Sequence, residues 1–149
     1  MTVFLLRHGQ TRGNLERRYT GSTDEPLCPQ GKAELEGVRP PEAEYVYVSP
    51  MIRCRETAAI LYPGMEHIAV PGFRETGFGI FEGHTYEELK ETHAYRAWLD
   101  TAGAVPPPGG ESKAAVRQRV TEAFLSLAAG HGPEDRVALI GVGPIGLLT

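Results

Sequence analysis

Four side chains of the sequence have the charge and the proton chemistry that phosphoryl transfer requires. Arg7 and His8 follow directly on the apolar run at residues 3–6. Arg53 stands near the start of a helical pattern after a second apolar run, and Glu75 follows a third. Arginine forks oppose phosphoryl charge, an imidazole can act as a nucleophile, and a carboxyl group can protonate a leaving oxygen. These four residues indicate a candidate phosphoryl-transfer site.

Polar or backbone-exposing residues follow in the loop after the first apolar run. They are Asn14, Thr20 and Gly21. Their side-chain or backbone donors can form hydrogen bonds to anionic oxygens. We therefore expect them to line a site for a small anionic ligand.

Structural interpretations remain open for these residues. The arginine–histidine pair can simply cap the end of a strand. Asn14 can be a turn residue, and Arg53 can be a surface arginine, as we expect for Arg55. Glu82 competes with Glu75 for the role of the carboxylate that faces the site.

Strand and helix patterns alternate along the chain. Strands are predicted over residues 2–6, 44–48, 67–70 and 136–140. Helices are predicted over residues 31–38, 51–61 with Ser49 as its cap, 85–100 with a break near Thr92, and 112–129. This order predicts one domain over residues 1–149, with a three-layer α/β/α fold and a mainly parallel sheet. Ligands of such folds bind beyond the carboxyl ends of the strands, where the arginine–histidine pair falls.

Composition limits the classes of function. The net charge of −4 argues against a nucleic-acid-binding surface. No run approaches the ~20 apolar residues that a membrane span needs. The N-terminus also lacks a secretory pattern, and we expect a cytoplasmic protein. Cys28 and Cys54 lack metal-ligand spacing, so we expect neither a metal site nor a disulfide framework.

Five stretches resemble, in order, the motifs of the histidine phosphatase superfamily, also called phosphoglycerate mutase-like. They are LLRHGQTRGN, YTGSTDEPL, SPMIRCRETA, FRETGFGIFEGHTYEEL and PPGGES. The resemblance implies the phosphoglycerate mutase-like fold and a hydrolase of small-molecule phosphomonoesters that needs no metal and no cofactor. It also implies that His8 is the nucleophile, that Arg7 and Arg53 clamp the phosphoryl oxygens, and that Glu75 protonates the leaving alkoxide. The pocket-lining positions that it implies are Asn14, Thr20 and Gly21.

Within the superfamily, the stretches SPMIRCRETA, FGIFEG and PPGGES are similar to those of alpha-ribazole phosphatases, which act in cobalamin synthesis. The resemblance thus implies alpha-ribazole-5'-phosphate as the substrate. The alternatives are a broad-specificity sugar phosphatase and a phosphoglycerate mutase-like enzyme. Trp98 with Tyr95 can stack a flat substrate base, or both can belong to a core or an interface.

One motif departs from the family. After its fourth strand the family carries a second catalytic histidine, but this chain reads VALIGVGPIGLLT, which places Gly141 or Val142 at that position. Neither side chain can donate a hydrogen bond to phosphate. The chain also resembles a truncated family member, and we expect its apolar C-terminal stretch to favour a homo-oligomer. A weakly active phosphate-binding remnant is therefore a second hypothesis.

Overall fold

A four-stranded, wholly parallel sheet forms the centre of the computed structural model, which describes residues 1–141 and Gly143. The strands are β1 (Thr2–Leu6), β2 (Tyr45–Val48), β3 (His67–Ala69) and β4 (Arg136–Ile140). Their order in the sheet is β1-β4-β2-β3. Ile140 of β4 lies opposite both Leu6 of β1 and Val48 of β2. The carboxyl ends of these strands therefore share one edge of the sheet.

Six α-helices connect or flank these strands in the described part of the chain. They are α1 (Arg12–Leu15), α2 (Pro29–Glu36), α3 (Ile52–Leu61), α4 (Tyr86–Leu89), α5 (His93–Asp100) and α6 (Lys113–Ala128). The predicted break near Thr92 is confirmed, because Thr92 is the N-cap of α5. Among the described residues, none of the helices combines the length and the apolar character that a membrane crossing needs.

Alternation along the strands builds a core on each face of the sheet. One face buries Val46, Val48, Ala138 and Ile140 against α3. The opposite face buries Val137 and Leu139 against α6. Successive strand residues point to opposite faces of the sheet. When helices cover both faces, nearly every residue of a strand is therefore apolar. The predicted three-layer α/β/α architecture is confirmed.

A third, aromatic cluster lies beside the sheet. Its buried members are Phe81, Leu89 and Tyr95, and Tyr19, Phe78 and Trp98 pack against them. Tyr95 is only 1% exposed, and its hydroxyl group lies 2.6 Å from that of Tyr19. Tyr95 is therefore a core residue, which corrects the idea that it stacks a substrate base.

The start of α3 differs from the sequence prediction. Met51 is the N-cap and makes no side-chain capping bond, so Ser49 is not the cap. The backbone N–H of Ser49 instead donates to Ile140 O at 3.0 Å. Asp24 supplies the missing acceptor, because its Oδ1 accepts a 2.7 Å hydrogen bond from Ile52 N. The cap thus comes from a loop distant in sequence, and adjacency alone could not reveal it.

Candidate active site

His8 lies directly beyond β1, and one backbone contact fixes its ring. Nδ1 lies 2.6 Å from Gly9 O. Because a carbonyl oxygen only accepts, Nδ1 carries the proton and Nε2 presents its lone pair. Burial lowers the pKa of His8, and the positive charges of Arg53 and Arg7 lower it further, against the Gly9 hydrogen bond. The ring is therefore a neutral imidazole near pH 7.

A hydroxyl group of α3 anchors the backbone that follows His8. Gly9 N–H donates to Thr57 Oγ1 at 3.0 Å, and that hydroxyl donates to Arg53 O at 2.7 Å. Thr57 is fully buried. Nothing in its residue type indicates this role, although its place one helical turn after Arg53 puts both residues on one face of α3.

Arg53 is the largest fully buried side chain among the described residues, at 1% exposure. Its Nη1 donates to Thr23 O at 2.9 Å. Its Nη2 donates to Gly21 O at 3.1 Å and to Thr20 O at 3.4 Å. Its buried Nε has no hydrogen-bond partner within residues 1–141 and Gly143. The surface-arginine interpretation is therefore wrong. The two Nη atoms are held by the loop carbonyls, and Nε is left as a free donor among the described residues.

Thr20 and Gly21 contribute to the site mainly through their carbonyl groups. The Gly21 N–H donates to Glu82 Oε2 at 2.9 Å, and the Thr20 hydroxyl donates to Arg18 O at 3.2 Å. In this structure the Gly21 N–H and the Thr20 hydroxyl are thus occupied by protein acceptors and do not face an anion. The Glu82 carboxylate faces the amides of this loop and accepts the Gly21 N–H.

Glu75 is the carboxylate that lies near Arg53. Burial raises the pKa of Glu75, while the Thr76 N–H, at 2.8 Å from Oε1, and the Arg53 charge oppose that shift. A Cβ atom on Gly143 would collide with the Glu75 carboxylate, so the chain beyond β4 passes directly beside it. Glu82 accepts several hydrogen bonds from a neighbouring loop instead. Glu75 thus lies beside Arg53, whereas Glu82 binds the loop at residues 21–23.

Asn14 is a helix-capping residue at the edge of the same site. Its Oδ1 accepts from Thr11 N at 2.9 Å, and its own N–H donates to Thr11 Oγ1 at 3.2 Å, which forms a capping box. The side-chain oxygen of Asn14 therefore has a structural role at the start of α1, as the interpretation of Asn14 as a local structural residue implies. Asn14 nevertheless lines an open depression of about 470 Å³ together with the exposed Arg7 and with His8. Its side-chain NH₂ group remains as a donor there.

Gly141 cannot carry a histidine side chain without local distortion. Its φ of +125° is unfavourable for residues with a Cβ atom, and such an atom would lie 2.8 Å from Ser49 Cβ. Its N–H donates to Leu6 O at 3.0 Å and so continues the β-ladder. A histidine at this aligned position would therefore require a change in the local backbone. The alternative position, Val142, and the C-terminal stretch at residues 144–149 lie outside the described residues.

Metal-ligating side chains do not gather in the part of the chain that the structure describes. In it, no group of three or more His, Cys, Asp or Glu residues has an arrangement that could hold a metal ion. The charges that gather near His8 are instead those of Arg7 and Arg53. These cations give the site a positive field that suits an anionic substrate.

Comparisons with known proteins identify the family of the chain. The model of the histidine phosphatase superfamily (branch 1) matches residues 3–147. The 2,3-bisphosphoglycerate-dependent phosphoglycerate mutase of Brucella ovis is 30% identical over 156 aligned positions, which cover 93% of this chain and 74% of that protein.

Solved structures show the same fold. A phosphoserine phosphatase from Entamoeba histolytica, in complex with 3-phosphoglyceric acid, superposes with a TM-score of 0.83 at 28% identity, covering 97% of this chain and 76% of that one. The alpha-ribazole phosphatase from Shigella flexneri gives a TM-score of 0.81 at 25% identity, with 94% and 72% covered. With His8, Arg53 and Glu75 gathered at the strand ends of this fold, the chain belongs to the histidine phosphatase superfamily.

Proposed function

We propose that the protein is a phosphomonoester hydrolase that works through a phosphohistidine on His8. The observation that carries this proposal is the fixed neutral ring of His8 beside the buried guanidinium of Arg53. A neutral imidazole with its lone pair on Nε2 is the form that can attack phosphorus. The Nε of Arg53, which has no hydrogen-bond partner among the described residues, supplies a donor for a phosphoryl oxygen.

The reaction proceeds in two steps. In the first, His8 Nε2 forms a bond to phosphorus, the bond from phosphorus to the ester oxygen breaks, and Glu75 gives its proton to that oxygen. In the second, water attacks the phosphohistidine and returns a proton to Glu75, which releases inorganic phosphate and the free imidazole. Arg7 and Arg53 stabilise the negative charge on the phosphoryl oxygens in both steps. Asn14 adds a neutral donor at the rim.

Incubation with an aryl phosphate tests this proposal directly. We expect acid-labile, alkali-stable phosphate on the protein after rapid quenching, as a phosphohistidine requires. A protein that hydrolyses the ester without any such intermediate would contradict the role of His8.

A specific observation also favours slow turnover. The two positions at which the family's second histidine can be aligned hold Gly141 and Val142, whose side chains donate no hydrogen bond. Loss of one preorganised donor costs on the order of a hundredfold to a thousandfold in rate. A weakly active phosphate-binding protein is therefore the second candidate, and it predicts phosphate binding with little ester hydrolysis.

For the substrate we propose a nucleoside-like monophosphate, with alpha-ribazole-5'-phosphate as the best candidate. A cavity of about 290 Å³ adjoins Glu75, because Thr76 and Gly143 line it. Its apolar wall consists of Phe78, Trp98, Leu99 and Val116. Such a wall suits a flat, apolar leaving group better than a small charged one. The alpha-ribazole phosphatase from Shigella flexneri is among the similar structures.

Replacement of Glu75 by glutamine should separate substrates by their leaving groups. We expect a loss of about a hundredfold or more for alkyl phosphates and about tenfold or less for aryl phosphates, whose leaving oxygen needs little protonation. Steady-state kinetics with both classes measures the difference. Because burial raises the pKa of Glu75, wild-type activity on alkyl phosphates should fall as pH rises through that pKa and the carboxyl ionises. The variant should lose this alkaline decline, and equal slowing of both classes would remove Glu75 from this role.

Trp98 should determine the preference for an aromatic leaving group. In Trp98→Ala we expect kcat/KM for alpha-ribazole-5'-phosphate to fall about tenfold relative to kcat/KM for ribose 5-phosphate. The quantity to measure is the ratio of the two kcat/KM values, because a smaller fraction of folded protein lowers both values equally. Trp98→Phe is the control and should keep most of the preference. An unchanged ratio, or a preference for 3-phosphoglycerate with mutase activity, would favour the alternative substrates.

A further inference from the structure

Glu82 accepts hydrogen bonds from four groups on two separate segments. Its Oε2 accepts from Gly21 N at 2.9 Å and from Thr23 Oγ1 at 3.0 Å. Its Oε1 accepts from Ser22 N at 2.6 Å and from Phe78 N at 3.3 Å. One half-buried carboxylate thus ties the loop at residues 20–23 to the segment that follows Glu75.

The same loop holds Arg53 through its carbonyl groups. The carbonyl oxygens of Thr20, Gly21 and Thr23 accept the hydrogen bonds from the guanidinium. The peptide unit dipoles therefore run from amides that face the Glu82 carboxylate to carbonyls that face the Arg53 cation. Both charges favour the same orientation of the loop, because each meets the dipole end of opposite sign.

Close packing at Gly21 leaves the loop little freedom to reorient. A Cβ atom at this position would collide with Thr76 O and would lie 2.7 Å from both Glu82 Oε1 and Phe78 Cδ2. The loop therefore rests directly on the segment that Glu82 joins to it. Without the carboxylate, the amides of Gly21 and Ser22 would have to find other acceptors, and the carbonyls would turn with them.

We propose that Glu82 is a positioning residue, which sets the orientation of the Arg53 guanidinium through the loop at residues 20–23. This role rests on the proposed function, in which Arg53 binds the phosphoryl group. Glu82 itself touches no substrate in the two-step reaction. Its loss should weaken the interaction of Arg53 with phosphate while Arg53 remains in the chain.

Spectra of the arginine side chains test this role without any need for activity. In the wild-type protein we expect separate NMR resonances for the Arg53 Nη protons, since three carbonyls restrain the guanidinium. In Glu82→Gln we expect these resonances to merge or broaden and the affinity for inorganic phosphate to fall about tenfold. In an Arg53→Lys background the same substitution should change the phosphate affinity less than twofold. Glu82 acts on phosphate binding only through the Arg53 guanidinium, which this background lacks.

Glu111 offers a matched control, because it is a carboxylate that also accepts a hydrogen bond from the segment that follows Glu75. It accepts from Gly77 N at 2.9 Å and pairs with Arg119 at 2.8 Å, but among the described residues it accepts no hydrogen bond from the loop at residues 20–23. Glu111→Gln should lower the melting temperature and leave the Arg53 resonances unchanged. If Glu82→Gln does not fold, Thr23→Val, which removes one of the four hydrogen bonds, should move the Arg53 resonances in the same direction.

The outcomes separate the positioning role from the proposed function. Unchanged Arg53 resonances in the folded Glu82 or Thr23 variant would overturn the role of Glu82, as would an equal loss of phosphate affinity in both arginine backgrounds. Altered resonances with weaker phosphate binding would support the role of Glu82 even if the wild-type protein hydrolysed no ester. In that case the proposed hydrolase function alone would fail.

Discussion

His8→Ala should abolish hydrolysis and leave the fold intact. The side chain is the proposed nucleophile, and its main fixed contact is the bond to the backbone of its own neighbour, Gly9. We expect a loss of activity of about a thousandfold or more, and no phosphorylated protein after incubation with an aryl phosphate. Circular dichroism and the melting temperature should remain close to those of the wild type.

His84→Ala is the matched control for this variant. His84 is exposed and its Nδ1 lies 3.0 Å from Glu88 Oε2, away from the contacts of His8. We expect wild-type turnover from it. Turnover by His8→Ala at the wild-type rate would refute the phosphohistidine mechanism, and turnover lost equally in both variants would point to a general sensitivity of the fold.

Arg53→Lys should lower both activity and stability. Lysine keeps the positive charge, but it cannot reproduce the planar fork that reaches Thr23 O and Gly21 O. Loss of the oriented donor should lower kcat/KM by about a hundredfold to a thousandfold. Buried carbonyls without donors should also reduce the free energy of unfolding by about 1 to 3 kcal/mol, which chemical denaturation can measure.

Two arginines serve as controls for this variant. Arg55 lies two residues further along α3 and is exposed, so Arg55→Lys should change neither quantity. Arg7 is exposed as well, and Arg7→Lys should lower activity with little loss of stability. An Arg53→Lys variant with normal phosphate affinity would exclude the guanidinium from the phosphate site.

The positions of the candidate residues along the chain were predictable because strand ends are visible in sequence. The apolar runs before Arg7 and before Ser49 appear as β1 and β2 with almost the predicted bounds. A parallel sheet then brings the residues that follow its strands to one edge, so the order of strands and helices alone groups His8, Arg53 and Glu75. The two layers of core also follow from the continuous apolar character of the strands.

Contacts between segments distant in sequence could not be predicted. The burial of Arg53 depends on three carbonyl groups of another loop, and backbone carbonyls leave no mark in the residue types. Glu82 and Glu75 are both carboxylates near glycine-rich turns, and only burial beside Arg53 distinguishes them. The close approach of Gly141 to Ser49, at a neighbouring strand end, likewise joins segments that lie far apart in the sequence.

The central place of β4 in the sheet affects how the chain acquires its site during synthesis. β1 and β2 do not pair with each other, since β4 lies between them and pairs with both. During synthesis, β1 therefore cannot join the sheet until β4, the last strand, has been made. Thr2 pairs with Arg136, so this pairing joins distant parts of the chain and folding should be slow. We therefore expect His8 and Arg53 to reach their final positions only after β4 has been synthesised, and the unpaired strands to expose apolar surface until then.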